Sequence, residues 1–369
     1  MALSKLRAFV LNDLAPLALR QAQGERGSVG SFRGRSMRWP AIAAMFLPVC
    51  AAANTCPQRG DLDAMYCDTN GDLIADAPAD PKRLKNPSTL LMSYSPQEDA
   101  TVYERLWQPY MTHLAQCTGK RVKFFQVHSS AAAIEAMRSG RAQMGLISAG
   151  DTPFSVNVGG MVPFAIHGTV KEGLVAYKLI VIVRADSPYK TMADLKGKKI
   201  AHVSPSSNSG NLAPRALFPA AGLAPDKDYT VAYSGKHDNS IMGVLNKDYD
   251  AGAIADDVLT RMEQRGVVKP GQFRVLYTSP PFPAGSLSYA HDLDPALTAK
   301  IRECTFAFRF PQELSNSFRG ADRFVALDYR KDFEPVRRVA AASSEVHTRE
   351  AFEARKLREH AQSNAPTKK

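Results

Sequence analysis

Hydrophobic and polar positions form two blocks along this chain, and each block predicts strands that alternate with helices. In the first block, short apolar runs over 89–94, 121–127 and 143–147 indicate strands. A longer amphipathic stretch separates the first two runs, and a short helical pattern over 131–138 separates the second and third. This β-α-β-α-β order predicts a parallel sheet with crossover helices.

The first predicted helix has one strongly apolar face. Its members recur every three or four residues and are Tyr103, Leu106, Trp107, Tyr110 and Leu114. Gly119 follows the last turn, where a left-handed residue commonly ends a helix. Pro109 lies inside the pattern, and we expect it to kink the helix or shorten its front half.

The second block begins with a continuous apolar run over 179–183, typical of a strand buried on both faces. Shorter patterns follow it. They predict strands over 199–203, 230–233, 249–254 and 273–277, and helices over 191–195, 239–246, 258–266 and 295–308. From residue 344 onward the chain is charged and poor in apolar residues. This composition predicts a loose helix and a frayed tail.

Composition and charge are those of a globular protein of two ordinary domains. The chain has 369 residues, of which 44% are hydrophobic and 22% charged. The net charge is +11, and residues 1–53 contribute 7 Lys/Arg against 2 Asp/Glu. No basic motif interleaved with aromatic residues accompanies this surplus, so we do not expect nucleic-acid binding.

The N-terminal region has the order of a secretory signal peptide. Three arginines over 33–38 precede an apolar run over 39–49, and three alanines stand at 51–53. We therefore expect export to the periplasm and a mature chain that begins at Asn54, with Met37 as a plausible true start. The alternative is that the apolar run is a buried segment of the fold.

Four cysteines remain after this cleavage site, since Cys50 lies within the signal. An even number in an exported chain favours disulfides. Cys56 and Cys67 flank a short loop and are the favoured pair. Cys117 and Cys304 form either a second pair or two buried thiols.

A loop directly after Cys67 has the spacing of calcium ligands. Asp68, Asn70, Asp72 and Asp76 occupy positions 1, 3, 5 and 9 of a pattern that resembles the front of an EF-hand loop. Leu73 stands where that loop needs glycine, and no glutamate stands at position 12. The alternatives are a Ca²⁺ site and a metal-free aspartate turn held by the disulfide. We expect no other cofactor.

A loop rich in small polar residues, over 204–214, lies between a strand and a helical pattern. Free backbone N–H groups and the positive end of a helix dipole meet at such a junction, which makes it a candidate anion cradle. An ordinary capped turn has the same composition.

Five motifs occur along the chain in the order found in one protein family. They are the helix over 131–140, Asp186-Ser-Pro188 with the helix and strand over 191–200, Ser207-Asn-Ser-Gly-Asn-Leu-Ala-Pro214, Gly235-Lys-His-Asp-Asn239, and the strand over 246–250 with the acidic pair at 256–257. Over about 90–340 the chain resembles the PhnD-like phosphate, phosphite and phosphonate substrate-binding proteins of ABC importers. The loop over 207–214 is the most specific of these motifs.

The resemblance implies the α/β fold of a type II periplasmic binding protein. Each of two lobes would hold a mostly parallel sheet flanked by helices, with the ligand in the interlobe cleft. Lobe 1 would comprise 89–177 and 278–343, and lobe 2 would comprise 178–277. Three further segments would flank the lobes. They are an N-terminal extension with signal peptide over 1–53, a Cys/Asp-rich lead-in over 54–88 and a charged tail over 344–369.

The resemblance also implies residues that bind the ligand. The oxyanion would be held by the ligand loop and by serines at the mouth of lobe 1, namely Ser207, Asn208, Ser209, Gly210, Ser93 and Ser95. His237 would donate to the anion and gain charge as pH falls. Tyr177 would contact the ligand, and Asp257 would receive an amine. Tyr177 is alternatively a packing residue, Asp257 a helix cap and His237 a turn residue.

This chain departs from the family pattern at two positions. A ligand-contacting tyrosine of lobe 1 is replaced by Ser130 or Ile147, depending on the alignment. The second carboxylate expected for an amine is Gly285. A simple aminoalkylphosphonate ligand is therefore less well supported. Additional positive charge would come from Lys178, Arg215 and His128.

Three functions follow as hypotheses. The first is a monomeric, non-enzymatic binding protein that delivers a small phosphorus oxyanion to an ABC permease in the inner membrane. The second is a sensory binding protein that presents an oxyanion to a membrane histidine kinase. The third is a two-lobe enzyme, which the sequence disfavours because it contains none of the nucleophile-elbow, zinc-protease or P-loop motifs.

Overall fold

The structure is a computed structural model, and it describes Cys56 and residues 58–363. The predicted signal peptide lies outside the described residues.

The strands are β1 (Thr89–Tyr94), β2 (Arg121–Phe125), β3 (Met144–Ile147), β4 (Met161–Thr169), β5 (Gly173–Leu174), β6 (Ala176–Arg184), β7 (Lys199–His202), β8 (Thr230–Tyr233), β9 (Ala251–Ala255), β10 (Phe273–Pro283), β11 (Ser286–Ala290) and β12 (Arg323–Ala326). The α-helices are α1 (Ala100–Thr118), α2 (Ser130–Arg138), α3 (Thr152–Asn157), α4 (Ala213–Leu217), α5 (His237–Leu245), α6 (Asp256–Gln264), α7 (Pro295–Ala307), α8 (Gln312–Ser317), α9 (Tyr329–Asp332), α10 (Glu334–Ala342) and α11 (Arg349–Ser363).

These strands form two open sheets, one in each lobe. The first has the order β12-β4-β11-β3-β1-β2, with β5 paired to β4, and the second has the order β10-β6-β9-β7-β8. The chain passes from the first sheet to the second between β5 and β6, and it returns between β10 and β11. The predicted α/β fold with two lobes is therefore confirmed.

Both sheets are mixed, which corrects the expectation that they are mostly parallel. β1 pairs in parallel with β2 and β3, and β7 pairs in parallel with β8 and β9. β11 runs antiparallel to β3, with Ser286 opposite Ile147. The reason is topological: β11 enters from the other lobe and so begins at the edge where β3 ends. For the same reason β6 runs antiparallel to β9.

Helix α1 confirms the predicted apolar face and corrects the prediction for Pro109. All five predicted face residues are buried, and Gly119 ends the helix in the left-handed conformation with φ 69°. Pro109 lies inside α1, which runs without interruption from Ala100 to Thr118. Pro109 and Arg105 are both exposed, so water can bond the backbone carbonyl that proline leaves without a donor.

The C-terminal helix is packed into the fold, contrary to the loose helix predicted from residue 344 onward, while residues 364–369 of the predicted frayed tail lie outside the described residues. Before this helix, α9 and α10 contribute Tyr329, Phe333 and Val336 to the core of the second lobe. The chain then returns to the first lobe, where α11 packs against α2 and buries Phe352 completely. Sequence composition did not reveal this, because a few buried side chains are enough to anchor a highly charged helix.

Both cysteine pairs form disulfides. Cys117 on α1 is bonded to Cys304 on α7, with their Cα atoms 5.8 Å apart. Cys56 is bonded to Cys67, with a Cα–Cα distance of 5.5 Å. The favoured pairing is thus confirmed, and the alternative left open for the other two cysteines is decided in favour of a bond.

The loop after Cys67 is held by hydrogen bonds from backbone amides to its carboxylates. Asp68 accepts from the amides of Asp72 and Leu73, and Asp76 accepts from the amide of Thr69. Leu73 has φ 71°, the conformation that favours glycine at this position. Within residues 58–357, no three His, Cys, Asp or Glu side chains are grouped so as to hold a metal ion. The Ca²⁺ site, including Asn70 as a ligand, stays a prediction.

In the part of the chain that the structure covers, no helix combines sufficient length with sufficient apolar character to cross a bilayer.

We predict that the two disulfides contribute unequally to stability. They close loops with sequence separations of 187 and 11 residues. Loop entropy alone then predicts that the bond contributes about 5 kcal/mol to the free energy of unfolding for the long loop and about 3 kcal/mol for the short one. Urea unfolding of the Cys117→Ser/Cys304→Ser and Cys56→Ser/Cys67→Ser double variants would measure both losses. Equal losses would contradict the entropic account.

Candidate ligand-binding cleft

A cleft of about 310 Å³ lies between the lobes, at the edge where strands of both sheets end. Segments that follow β1, β2 and β3 line one side, and segments that follow β7, β8 and β9 line the other. This is the usual position of ligands in open α/β sheets, where strand ends leave loops and helix N-termini free. The polar residues of its wall are Ser95, Gln97, His128, Ser129, Ser130, Ser148, Asp151, Tyr177, Ser204, Ser207, Asn208, Ser209, Tyr233, Ser234, His237 and Asp257.

The ligand loop adopts a π-helical turn over Asn208–Leu212 that continues directly into α4. Wide helical turns of this kind occur often at functional sites. Ser207 precedes the turn, and its hydroxyl oxygen accepts the amide of Gly210 at 3.1 Å. The Nδ2 of Asn208 donates to the Tyr177 hydroxyl at 2.8 Å, while its Oδ1 is buried without a partner among the described residues. These contacts direct the first residues of the turn toward the cleft.

Gly210 has a packing role instead of a place on the cleft wall. A Cβ atom at this position would lie 2.5 Å from Val203, so only glycine allows the turn to rest against the end of β7. Ser93 is also outside the wall, since it is fully buried within β1. The structure therefore brings neither of these two predicted residues to the cleft wall.

His237 is the first residue of α5 and is buried at the base of the cleft. Its Nδ1 accepts the backbone N–H of Ala255 at 3.1 Å, so Nε2 carries the proton of the neutral ring. Burial lowers the pKa of His237 from 6.5 to about 4. This corrects the expectation that His237 gains charge as pH falls. Above pH 5 its ring is neutral and offers an uncharged N–H donor.

Asp257 lies in the first turn of α6 and has one carboxylate oxygen engaged. Its Oδ2 accepts from Arg261 at 2.7 Å, while Oδ1 is buried without a hydrogen-bond partner in the described part of the chain. Burial alone would raise the pKa of Asp257, but the adjacent guanidinium outweighs it and the pKa is lowered. Asp257 is therefore an ionised acceptor at the cleft wall.

The Arg261 guanidinium also joins the two lobes. Its Nε donates to Glu98 of lobe 1 at 2.8 Å, and both side chains are almost fully buried, at 2% and 0% exposure. Arg265 reaches the other oxygen of Glu98 at 2.5 Å. A second ion pair between the lobes joins Arg319 to Asp256 at 2.8 Å. This set of contacts ties the two lobes together beside the cleft.

Of the remaining predicted residues, some lie at the cleft and some do not. Ser95 lines the wall, and its hydroxyl oxygen accepts the amide of Ser148 at 3.1 Å. His128 lies on the wall as well, whereas Lys178 and Arg215 do not. Arg215 instead donates to Asn211, Asp226 and Tyr233 within lobe 2.

The two departures from the family pattern have structural explanations. Ser130, and not Ile147, is the residue on the cleft wall. Gly285 has φ 134°, and a Cβ atom there would lie 2.3 Å from the carbonyl oxygen of Ile147. No side chain fits at this crossing point between the lobes, so a second carboxylate cannot be accommodated at 285.

Sequence reasoning missed Asp151, a buried carboxylate on the lobe 1 wall. It lies just before α3 and accepts hydrogen bonds from three serines and Arg355. Its position after β3 was a usable signal, because polar residues at strand ends face the cleft in this topology. Arg355 gave no such signal, since it lies far along the chain in a charged helix.

We predict that the His237 ring stays neutral between pH 5 and 8. In NMR spectra, its ring nitrogens should report the Nε2–H tautomer throughout this range. The free energy of unfolding should fall as pH drops from about 6.5 toward 4, because the unfolded chain, whose histidines titrate near 6.5, takes up the proton first. His237→Gln should reduce this loss, and His128→Gln serves as the control. A ring that titrates near pH 6.5 would exclude this assignment.

We also predict that Glu98→Gln weakens both folding and ligand binding. Removing one charge from a buried ion pair costs about 3–5 kcal/mol. Because Glu98 and Arg261 belong to different lobes, part of this loss should appear as weaker ligand binding. Urea unfolding and calorimetry measure the two effects. Glu313→Gln is the control, since its 3.9 Å contact with Arg105 is exposed and lies within lobe 1. Equal behaviour of the two variants would contradict the role of Glu98.

Comparisons with known proteins identify the family and the fold of this chain. Residues 92–333 match the family described as the periplasmic substrate-binding protein of phosphonate ABC transporters. The phosphate-import protein PhnD of Mycolicibacterium smegmatis is 29% identical over 231 residues, which cover 58% of this chain and 70% of that protein.

Two solved structures share the fold. One is a binding protein component of an ABC phosphonate transporter from Pseudomonas aeruginosa, with a TM-score of 0.63, 20% identity and coverage of 75% of this chain and 95% of the other. The second is PhnD1 from Prochlorococcus marinus in complex with methylphosphonate, with a TM-score of 0.62, 17% identity and coverage of 71% and 100%. Because the family match spans well over half of the sequence, this chain belongs to the periplasmic substrate-binding proteins of phosphonate ABC transporters.

Proposed function

We propose that this protein captures a small phosphorus oxyanion, such as a phosphonate, phosphite or phosphate, between its two lobes and delivers it to an ABC permease in the inner membrane. The observation that carries this proposal is the composition of the cleft wall. Among its described residues there are many neutral donors and no Lys or Arg. Hydroxyl groups, backbone amides and the neutral His237 ring suit an anion that must be bound and then released.

The ligand loop supplies the principal contacts in this proposal. Ser207, Asn208 and Ser209 line the cleft where the π-helical turn begins, and His237 lines the same cleft. The helical axis of the turn and α4 directs amide N–H groups toward the bound anion. Tyr177 positions Asn208 through their hydrogen bond. The names of the relatives, which refer to phosphate and phosphonates, support a phosphorus-containing ligand.

The ligand also needs a hydrogen-bond donor. Asp257 keeps its buried Oδ1 without a partner in the described residues, and a buried acceptor of this kind is costly unless a ligand satisfies it. A protonated phosphorus oxygen or a ligand amine would do so. With Gly285 in place of a second carboxylate, an amine would have a single ionic partner. We therefore propose a monoprotonated oxyanion or an aminoalkylphosphonate held by one carboxylate.

Binding without chemical conversion completes the proposal. The relatives are transport proteins, and the family match favours transport over sensing. We propose that the protein acts as a monomer, in which lobe closure over the ligand is the signal that the permease reads.

The experiment is calorimetry of the purified protein against phosphate, phosphite, methylphosphonate and 2-aminoethylphosphonate. We expect binding of at least one ligand in a 1:1 ratio without product formation. Ser207→Ala/Ser209→Ala should lower the affinity by about a hundredfold or more, because each hydrogen bond to a charged group contributes about 1.5–3 kcal/mol.

The matched control is Ser315→Ala/Ser317→Ala, a pair with the same spacing on α8. It should bind as the wild type does. Undiminished affinity in the Ser207→Ala/Ser209→Ala variant would refute the assignment of the ligand loop. Turnover of a phosphonate by the purified protein would refute a function in binding alone and indicate an enzyme.

A further inference from the structure

Helix α11 places a buried arginine beside the cleft. The Arg355 side chain is 0% exposed, and its Nη2 donates to the Oδ1 of Asp151 at 2.9 Å. Its guanidinium lies over the Phe154 ring, 5.0 Å from the centroid. The neighbouring Phe352 is fully buried against the same ring, at a centroid distance of 6.2 Å. Arg355 is therefore held in place by packing as well as by its ion pair.

This arginine lies outside the part of the chain that matches the family. The match ends at residue 333, and α11 begins at Arg349. The contact between α11 and the cleft is accordingly an addition that the family match does not describe.

Asp151 connects Arg355 to the ligand-binding surface. Its Oδ2 accepts the hydroxyls of Ser130 at 2.6 Å and Ser148 at 2.7 Å, and both of these serines line the cleft. Its Oδ1 accepts the hydroxyl of Ser206 at 2.8 Å in addition to Arg355. Ser206 belongs to lobe 2 and directly precedes the ligand loop. One carboxylate thus ties two wall serines of lobe 1 to the loop of lobe 2.

A carboxylate in this position is a liability for anion binding. Asp151 is buried on the cleft wall, so water screens its charge only weakly. An uncompensated negative charge there would repel a phosphorus oxyanion. The guanidinium of Arg355 cancels that charge while leaving the carboxylate oxygens free to accept from the three serines.

We propose that Arg355 is a positioning residue for ligand binding: helix α11 completes the oxyanion site by neutralising Asp151, which in turn holds Ser130, Ser148 and the ligand loop in place. This inference rests on the proposed function, since it takes the ligand to be an anion. It assigns a role in binding to a helix that lies beyond the residues matched by the family.

A purely structural role for the pair makes a different prediction. Arg355→Gln and Asp151→Asn break the same ion pair, but they change the charge at the cleft in opposite directions. If the pair only anchors α11, both variants should lose affinity together. If Arg355 acts by neutralising charge, the first should lose more affinity for an anion than the second, and adding Asp151→Asn to Arg355→Gln should restore part of the loss.

The test is calorimetry with methylphosphonate on the wild type, Arg355→Gln, Asp151→Asn and the double variant, with folding checked by circular dichroism. We expect Arg355→Gln to lose affinity by tenfold or more and Asp151→Asn to lose less than that, because asparagine removes the negative charge but keeps only one of the two oxygens that accept from the serines. The double variant should bind at least threefold more tightly than Arg355→Gln, because its cleft no longer carries the uncompensated carboxylate. Lys356→Gln is the control, because it removes a neighbouring charge whose side chain is 46% exposed and pairs with Glu353 and Glu135.

Three results would overturn the inference. They are unchanged affinity in Arg355→Gln, equal losses in both single variants, and a double variant that binds no more tightly than Arg355→Gln. If Arg355→Gln does not fold, Asp151→Asn and the double variant decide, since weaker binding by Asp151→Asn than by the double variant contradicts neutralisation. If the wild-type protein binds none of the four oxyanions, both the proposed function and this inference are refuted. If the wild type binds methylphosphonate and Arg355→Gln binds it equally well, only this inference is refuted.

Discussion

The buried guanidinium of Arg261 is the contact on which the arrangement of the two lobes around the cleft depends. It bonds Glu98 of one lobe and Asp257 of the other, at 2.8 and 2.7 Å, in a region nearly free of solvent. A buried ion pair of this kind adds little net stability, because desolvation offsets most of the attraction. Its effect is to specify the arrangement, since an opening that separated these groups would leave charges without partners in a dry interface.

The same rule explains how the proposed anion site can contain carboxylates. Among the described residues two carboxylates line the cleft, and each contacts a buried arginine: Asp257 contacts Arg261, which also binds Glu98, and Asp151 contacts Arg355. The charges cancel in pairs, so the surface that the ligand meets consists of hydroxyls, amides and a neutral imidazole. Such donors bind an oxyanion without the strong charge that would slow its release.

Much of the fold could be read from the sequence, because strongly periodic segments have few alternatives. The run over 89–94 and the apolar face of α1 agree with the structure residue by residue. β4, β11 and β12 were missed, since their burial depends on which strands they pair with and not on their own pattern. Pro109 was misjudged because its effect depends on whether the freed carbonyl meets water, and it does so on an exposed helix face.

By itself, the sequence determined the two αβ blocks, the favoured short disulfide and a polar loop suited to an anion, because each of these is encoded within a few neighbouring residues. Only the tertiary structure decided which polar groups meet. Asp151 and Arg355 are 204 residues apart, and Glu98 and Arg261 are 163 apart, yet each pair shares a hydrogen bond. The protonation of His237 was likewise decided by burial and by the amide of Ala255. Charge and desolvation act through space, so local sequence does not encode them.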